Sequence, residues 1–88
     1  MMLIEDQINQ ILTKELAPAN LEVINDSHKH AGHVGDDGTG QTHFTVKIMS
    51  DKFENLNRVE RQRFVMKLLN PCFDAGLHAL SLKLSTPT

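Results

Sequence analysis

Thr42-His43-Phe44-Thr45-Val46-Lys47-Ile48-Met49 is the stretch on which the fold turns. Phe44, Val46 and Ile48 fall on one face, and His43, Thr45 and Lys47 on the other. A hydrophobic period of two over eight residues describes a strand with one covered face. On its N-terminal side, residues 27–41 (SHKHAGHVGDDGTGQ) hold four glycines and almost no large apolar side chain, so they read as a loop. Loops of this length within compact domains are usually functional or disordered. Further back, residues 21–26 make a short strand, with Leu21 and Val23 on one face and Asn25-Asp26 closing it. Ile4, Ile8, Ile11 and Leu12, with Leu16 one turn on, mark one stripe of a helix over residues 2–16. Glu5 and Asp6 suit the positive end of that helix, and Pro18 stops it.

On the C-terminal side, Ser50 or Asp51 ends the strand, and the segment to Asn57 reads as a turn or short 3₁₀ stretch around Phe53 and Leu56. A helix begins at Arg58, with Val65, Leu68, Leu69 and Cys72 at i, i+3, i+4 and i+7. Pro71 either kinks this helix or, with Asn70 as cap, opens a separate last turn, and Gly76 closes it as a C′ glycine. The final strand is residues 78–84, in which His78 shares its parity with Leu80, Leu82 and Leu84. The order α-β-β-α-β predicts an α+β fold. In it an antiparallel hairpin pairs through its second strand, in parallel, with the third by a right-handed crossover. Both helices would cover one face of this three-stranded mixed sheet.

The 88 residues make a single domain, 1–88, and leave no room for a second. Hydrophobic content of 40% with 23% charged residues is globular rather than disordered composition. One cysteine cannot form an internal disulfide, no apolar run approaches a membrane span, and the N-terminus carries acids where a signal peptide carries basic residues. These features predict a cytoplasmic protein, with an organelle as the alternative compartment, that has no membrane partner and is monomeric or a weak homodimer. The net charge is −2, divided as −4 over residues 1–50 and +2 over residues 51–88. Neither half carries the dense basic footprint that neutralises nucleic-acid phosphates.

His28, His30 and His33 lie within six residues of the long loop, and His78 opens the last strand. Neutral imidazole ligates iron, zinc and copper, and glycines let a loop turn its rings toward a common point. The spacing alone leaves solvated loop histidines, a structural zinc module and a shared metal site all open. By parity His78 points toward the lip of the core, whereas His43 points outward as a half-exposed strand residue. Cys72, on the apolar stripe of the second helix, reads as a buried small hydrophobe. No Ser-His-acid set, phosphate-cradling glycine loop or carboxylate pair stands out, so no enzymatic activity is expected. Arg58, Arg61 and Arg63 open the second helix as candidate phosphate contacts, although Arg63 points about 140° away from Arg58.

Several segments together resemble the BolA family. They are Leu21-Glu22-Val23; the run from Asn25 to His33; Thr42-His43-Phe44; Ser50-Asp51-Lys52-Phe53-Glu54; Arg58-Val59-Glu60-Arg61-Gln62-Arg63; and Leu77-His78-Ala79-Leu80-Ser81-Leu82. The likeness runs over roughly residues 3–87. It implies a fold similar to class II KH domains, and a non-enzymatic adaptor that partners a monothiol glutaredoxin. In such a pair a [2Fe-2S] cluster is shared with glutaredoxin and glutathione, and none is expected in the isolated chain. By position the resemblance assigns His78 as the strand ligand and His30 as the loop ligand, with His33 as the alternative. Mixed imidazole and thiolate ligation raises the cluster potential and makes assembly pH-sensitive, because each imidazole must lose its proton to bind. The family also includes DNA-binding transcriptional regulators. That alternative maps to a helix-turn-helix-like segment around residues 53–69, with Arg58, Arg61 and Arg63 as nucleic-acid contacts. In that segment the chain has Asn55 where the family often has glycine, and Gln62 in place of a histidine between arginines.

Overall fold

A computed structural model describes residues 3–27 and 41–87. Helix α1 (Ile4–Leu16) leads to strand β1 (Asn20–Asn25). Strand β2 (His43–Met49) is followed by a 3₁₀ turn (Asp51–Phe53), helices α2 (Arg58–Leu68) and α3 (Asn70–Asp74), and strand β3 (Ala79–Ser85). The α+β order read from the sequence is therefore observed. The sheet order is β1-β2-β3. β1 pairs antiparallel with β2, bringing Val23 opposite Val46, and β2 pairs in parallel with β3, bringing Val46 beside Leu82.

Helix α1 begins two residues later than the periodicity suggests, because Leu3 is extended (ψ 148°) and acts as an N-cap without a side-chain bond. It ends at Ala17 in a left-handed conformation (φ 41°), whose N–H returns to the Thr13 carbonyl ahead of Pro18. Ile4, Ile8, Leu12 and Leu16 are buried against Phe44, Val46 and Ile48 of β2 and Val65, Leu69 and Cys72 of the C-terminal helices. Burial of aliphatic side chains of this size contributes about 1.5–3 kcal/mol each. Leu21 and Val23 of β1 and Leu80, Leu82 and Leu84 of β3 pack on the same cluster. The helices accordingly cover one face, while Lys47, Ser81, Lys83 and Ser85 lie on the other.

The two C-terminal helices are separate, as one of the two readings of Pro71 required. Proline has no N–H to continue the helical ladder, and the chain steps through Leu69 (ψ 9°) before turning again. The cap is Leu69, not Asn70 as the sequence suggested, and it makes no side-chain bond. Asn57 and Glu60 form a reciprocal capping box at the start of α2 that the sequence reading did not use. Asn55 is left-handed (φ 69°). Asparagine tolerates that region far better than most residues, so the turn does not require a glycine here. Gly76 (φ 125°) follows α3 as expected.

Cys72 is fully buried in α3. Burial pushes its thiol above the ordinary value of 9.0. An aromatic disulfide reagent at pH 8 is therefore expected to label native Cys72 far more slowly than the denaturant-unfolded chain. Above pH 9.0 the unfolded chain gives up this proton before the folded one, so stability falls as pH rises. Urea midpoints measured from pH 8 to 10, taken as the difference from Cys72→Ala, check the sign.

Candidate functional site

Three segments are tied together at the end of the sheet where β2 and β3 begin. Ser27, just beyond β1, is buried, and its Oγ accepts the backbone N–H groups of Thr42 (2.9 Å) and His43 (3.1 Å). The Asp26 N–H donates to the His43 carbonyl at 2.7 Å, and the Thr45 hydroxyl donates to the Asp26 carboxylate. Across β2, the Thr42 carbonyl accepts two consecutive N–H groups, from His78 (2.9 Å) and Ala79 (3.0 Å). Gln41 links this end to α1, its Oε1 accepting the Glu5 N–H at 3.2 Å. Among the described residues, every buried side-chain nitrogen and oxygen has a hydrogen-bond partner.

This knot places two imidazoles side by side. The rings of His43 and His78 have centroids 5.4 Å apart and planes inclined at 52°. His43 Nδ1 is hydrogen-bonded to Thr42 Oγ1 at 2.8 Å, which fixes the rotation of that ring. His43 is only 8% exposed, whereas His78 is open to solvent.

Two expectations from parity are corrected here. His78 does not sit at the lip of the core, because the regular strand starts only at Ala79. Two successive N–H groups aimed at one carbonyl break the alternation on which parity depends. His43 is in register with Ala79 on the helix-free face, as its parity implied, but it is buried rather than half-exposed. Strand periodicity reports a face; it is blind to what the neighbouring chain brings to the end of that face. The adjacency of Thr42 and His43 at the start of the strand was the available signal.

His28, His30 and His33 lie outside the described residues. Ser27 and Thr42, described residues on either side of that segment, are hydrogen-bonded to each other, and the Thr42 carbonyl accepts the His78 N–H. No group of three His, Cys, Asp or Glu side chains forms a metal cage among the described residues. Cys72 is buried in the core, so of the described residues it is imidazole, not thiolate, that this end of the sheet presents. An exposed imidazole beside a buried one suits one corner of a metal site whose remaining ligands come from elsewhere.

The three arginines separate. Arg58 and Arg61 line a hollow along β3, and the Arg61 Nε is held on the Leu56 carbonyl at 2.9 Å. Arg63 lines a different, mainly apolar hollow with Lys52, Phe64 and Lys67.

The BolA-like protein family model matches residues 12–88. The chain belongs to the BolA-like family. An uncharacterized protein in the cobS 5′ region of Sinorhizobium sp is 45% identical over 87 residues, covering 98% of this chain and 94% of the relative. The solved structure of BolA1 from Arabidopsis thaliana superposes with a TM-score of 0.88 at 43% identity, covering 99% of this chain and 95% of that one. The relative named DNA-binding transcriptional regulator BolA, from Haemophilus influenzae, is 36% identical over 86 residues, 98% of this chain and 80% of its own length. The BolA-like fold expected from the sequence is thus present in this chain. No helix among its described residues is long and apolar enough to cross a membrane.

Proposed function

We propose that this BolA-like chain is a non-enzymatic adaptor. It docks on a monothiol glutaredoxin and contributes imidazole to a bridging [2Fe-2S] cluster, in iron-sulfur trafficking or iron regulation. The observation that carries this reading is His78. It is a solvent-open residue whose backbone N–H, with that of Ala79, bonds the Thr42 carbonyl, at the end of the sheet where Ser27 and Thr42, the described residues flanking the histidine-bearing segment, are joined. His78 is the strand ligand, and His30, with His33 as the alternative, is the loop ligand. The glutaredoxin cysteine and glutathione supply the thiolates that this end of the chain does not present. Such a site is completed only in the complex, which makes the cluster transferable cargo rather than a permanent part of the fold.

The test is reconstitution of the chain with a monothiol glutaredoxin, glutathione, ferrous iron and sulfide, followed by visible absorption and circular dichroism. His78→Ala, at an exposed position, is expected to abolish the heterocomplex spectrum while leaving the thermal unfolding curve in place. The double variant His30→Ala/His33→Ala should change it as strongly. Unchanged spectra in both variants would falsify the ligand assignment.

The naming of the Haemophilus influenzae relative supports a second reading, a DNA-binding transcriptional regulator using the segment around residues 53–69. It predicts affinity for a specific duplex that falls with salt and on replacing Arg58, Arg61 or Arg63 by alanine. Binding no stronger than that to a random duplex at moderate salt dismisses it.

A further inference from the structure

We infer that the open edge of β3 is a docking groove for an extended acidic peptide segment, which adds to the sheet as a fourth strand. Among the described residues β3 is an outer strand, paired on one side only, with β2. Along its other side runs a hollow of about 550 Å³ lined by Leu56, Arg58, Arg61, Leu82, Lys83 and Leu84, among others. Leu82, Lys83 and Leu84 are consecutive, and consecutive strand residues point to opposite faces. A hollow that touches all three therefore follows the strand's edge, not either face. No residue of β2 lines it, which identifies the edge as the unpaired one. An unpaired edge offers a row of backbone donors and acceptors to a strand laid beside it.

The charges select the occupant. Glu22, Lys47 and Lys83 are in register across the helix-free face of β1, β2 and β3. The row thus runs from one carboxylate to two adjacent ammonium groups and stops at the open edge. A carboxylate at the matching position of a fourth strand would complete it, because opposite charges directly across a strand pair attract and like charges repel. On the helix side the groove offers Leu56 and the two leucines as an apolar floor, with Arg58 and Arg61 on its wall. The Leu56 carbonyl holds Arg61 in place before any ligand arrives. No acidic residue lines the groove. The segment that fits has acidic residues at every second position and apolar or β-branched residues between them. Single-stranded nucleic acid fits less well, since no aromatic side chain lines the groove to stack a base.

The experiment is an NMR titration of the isotope-labelled full chain. The probe is an acetylated, amidated peptide of about seven residues, with Glu at alternate positions and Val or Thr between. The amides of Leu82, Lys83 and Leu84 should shift on binding. Lys83→Glu should weaken the peptide about tenfold, roughly the effect of reversing one cross-strand charge pair. A matching peptide with Lys for Glu should gain what the Glu peptide loses on that variant, which separates a charge effect from misfolding. N-methylation of alternate backbone amides should abolish binding of an otherwise identical peptide. The inference is overturned if the peptide leaves the β3 amides unmoved, if Lys83→Glu binds it equally well, or if the N-methylated peptide binds as tightly. Oligothymidylate moving the same amides where the peptide does not would assign the groove to nucleic acid and overturn it too. None of these outcomes depends on cluster formation.

Discussion

Phe44→Ala is expected to lose about 3–5 kcal/mol of stability, the range for truncating a fully packed aromatic side chain. Phe44 is 2% exposed and stands in register between Asn25 of β1 and Leu80 of β3. Its ring is part of the core formed with the α1 stripe and with Leu69 and Cys72. The neighbours cannot close the resulting cavity, because β2 is the central strand and is held on both sides. Single domains are stable by roughly 0.05–0.15 kcal/mol per residue, so the loss is a large fraction of the total for a chain this short. Urea unfolding followed by far-ultraviolet circular dichroism measures it. A loss below about 1 kcal/mol would mean that the centre of the sheet is not packed as described.

Ser27→Ala is expected to cost about 2–4 kcal/mol, a large effect for removing one oxygen atom. The Ser27 hydroxyl is the acceptor for two buried N–H groups, those of Thr42 and His43. Alanine leaves both without it, and an unsatisfied buried donor costs about 1–3 kcal/mol. Thr42 also carries the carbonyl that accepts the His78 N–H and the hydroxyl that fixes the His43 ring. The substitution should therefore loosen the imidazole pair as well as the fold. The chemical shifts of the His43 and His78 ring protons, recorded well below the unfolding midpoint, report this second effect. Ser27→Thr, which keeps the oxygen, should restore most of both. Equal stability of Ser27→Ala and the parent would show that the hydroxyl does not knit the three segments.

Much of this architecture was legible because it rests on short-range regularities. The alternation in residues 42–49 and the four-residue spacing from Ile4 to Leu16 each require one covered face, and pairing those faces leaves little freedom in so short a chain. Where the reading failed, a local rule met a non-local contact. Asn70 looks like a cap because asparagine often is one, but the backbone had already turned at Leu69 to accommodate Pro71. His78 looks core-facing by parity, but the alternation stops at Ala79, where the Thr42 carbonyl takes two donors.

The candidate site divides in the same way. Residue chemistry read along the chain was enough to mark His28, His30, His33 and His78 as possible ligands and Cys72 as a core residue, while the resemblance to the BolA family implied His78 with His30, or His33 as the alternative, and a partner as the source of sulfur. Folding the chain in three dimensions added the rest. It set the buried His43 ring beside that of His78, separated Arg63 from Arg58 and Arg61, and, among the described residues, left the β3 edge unpaired beside a cationic wall. Periodicity is a property of one segment and is written in its own residues. Ring contacts, the burial of a strand's first residue and an unpaired edge belong to pairs of segments far apart in sequence, and they exist only once the chain has closed on itself.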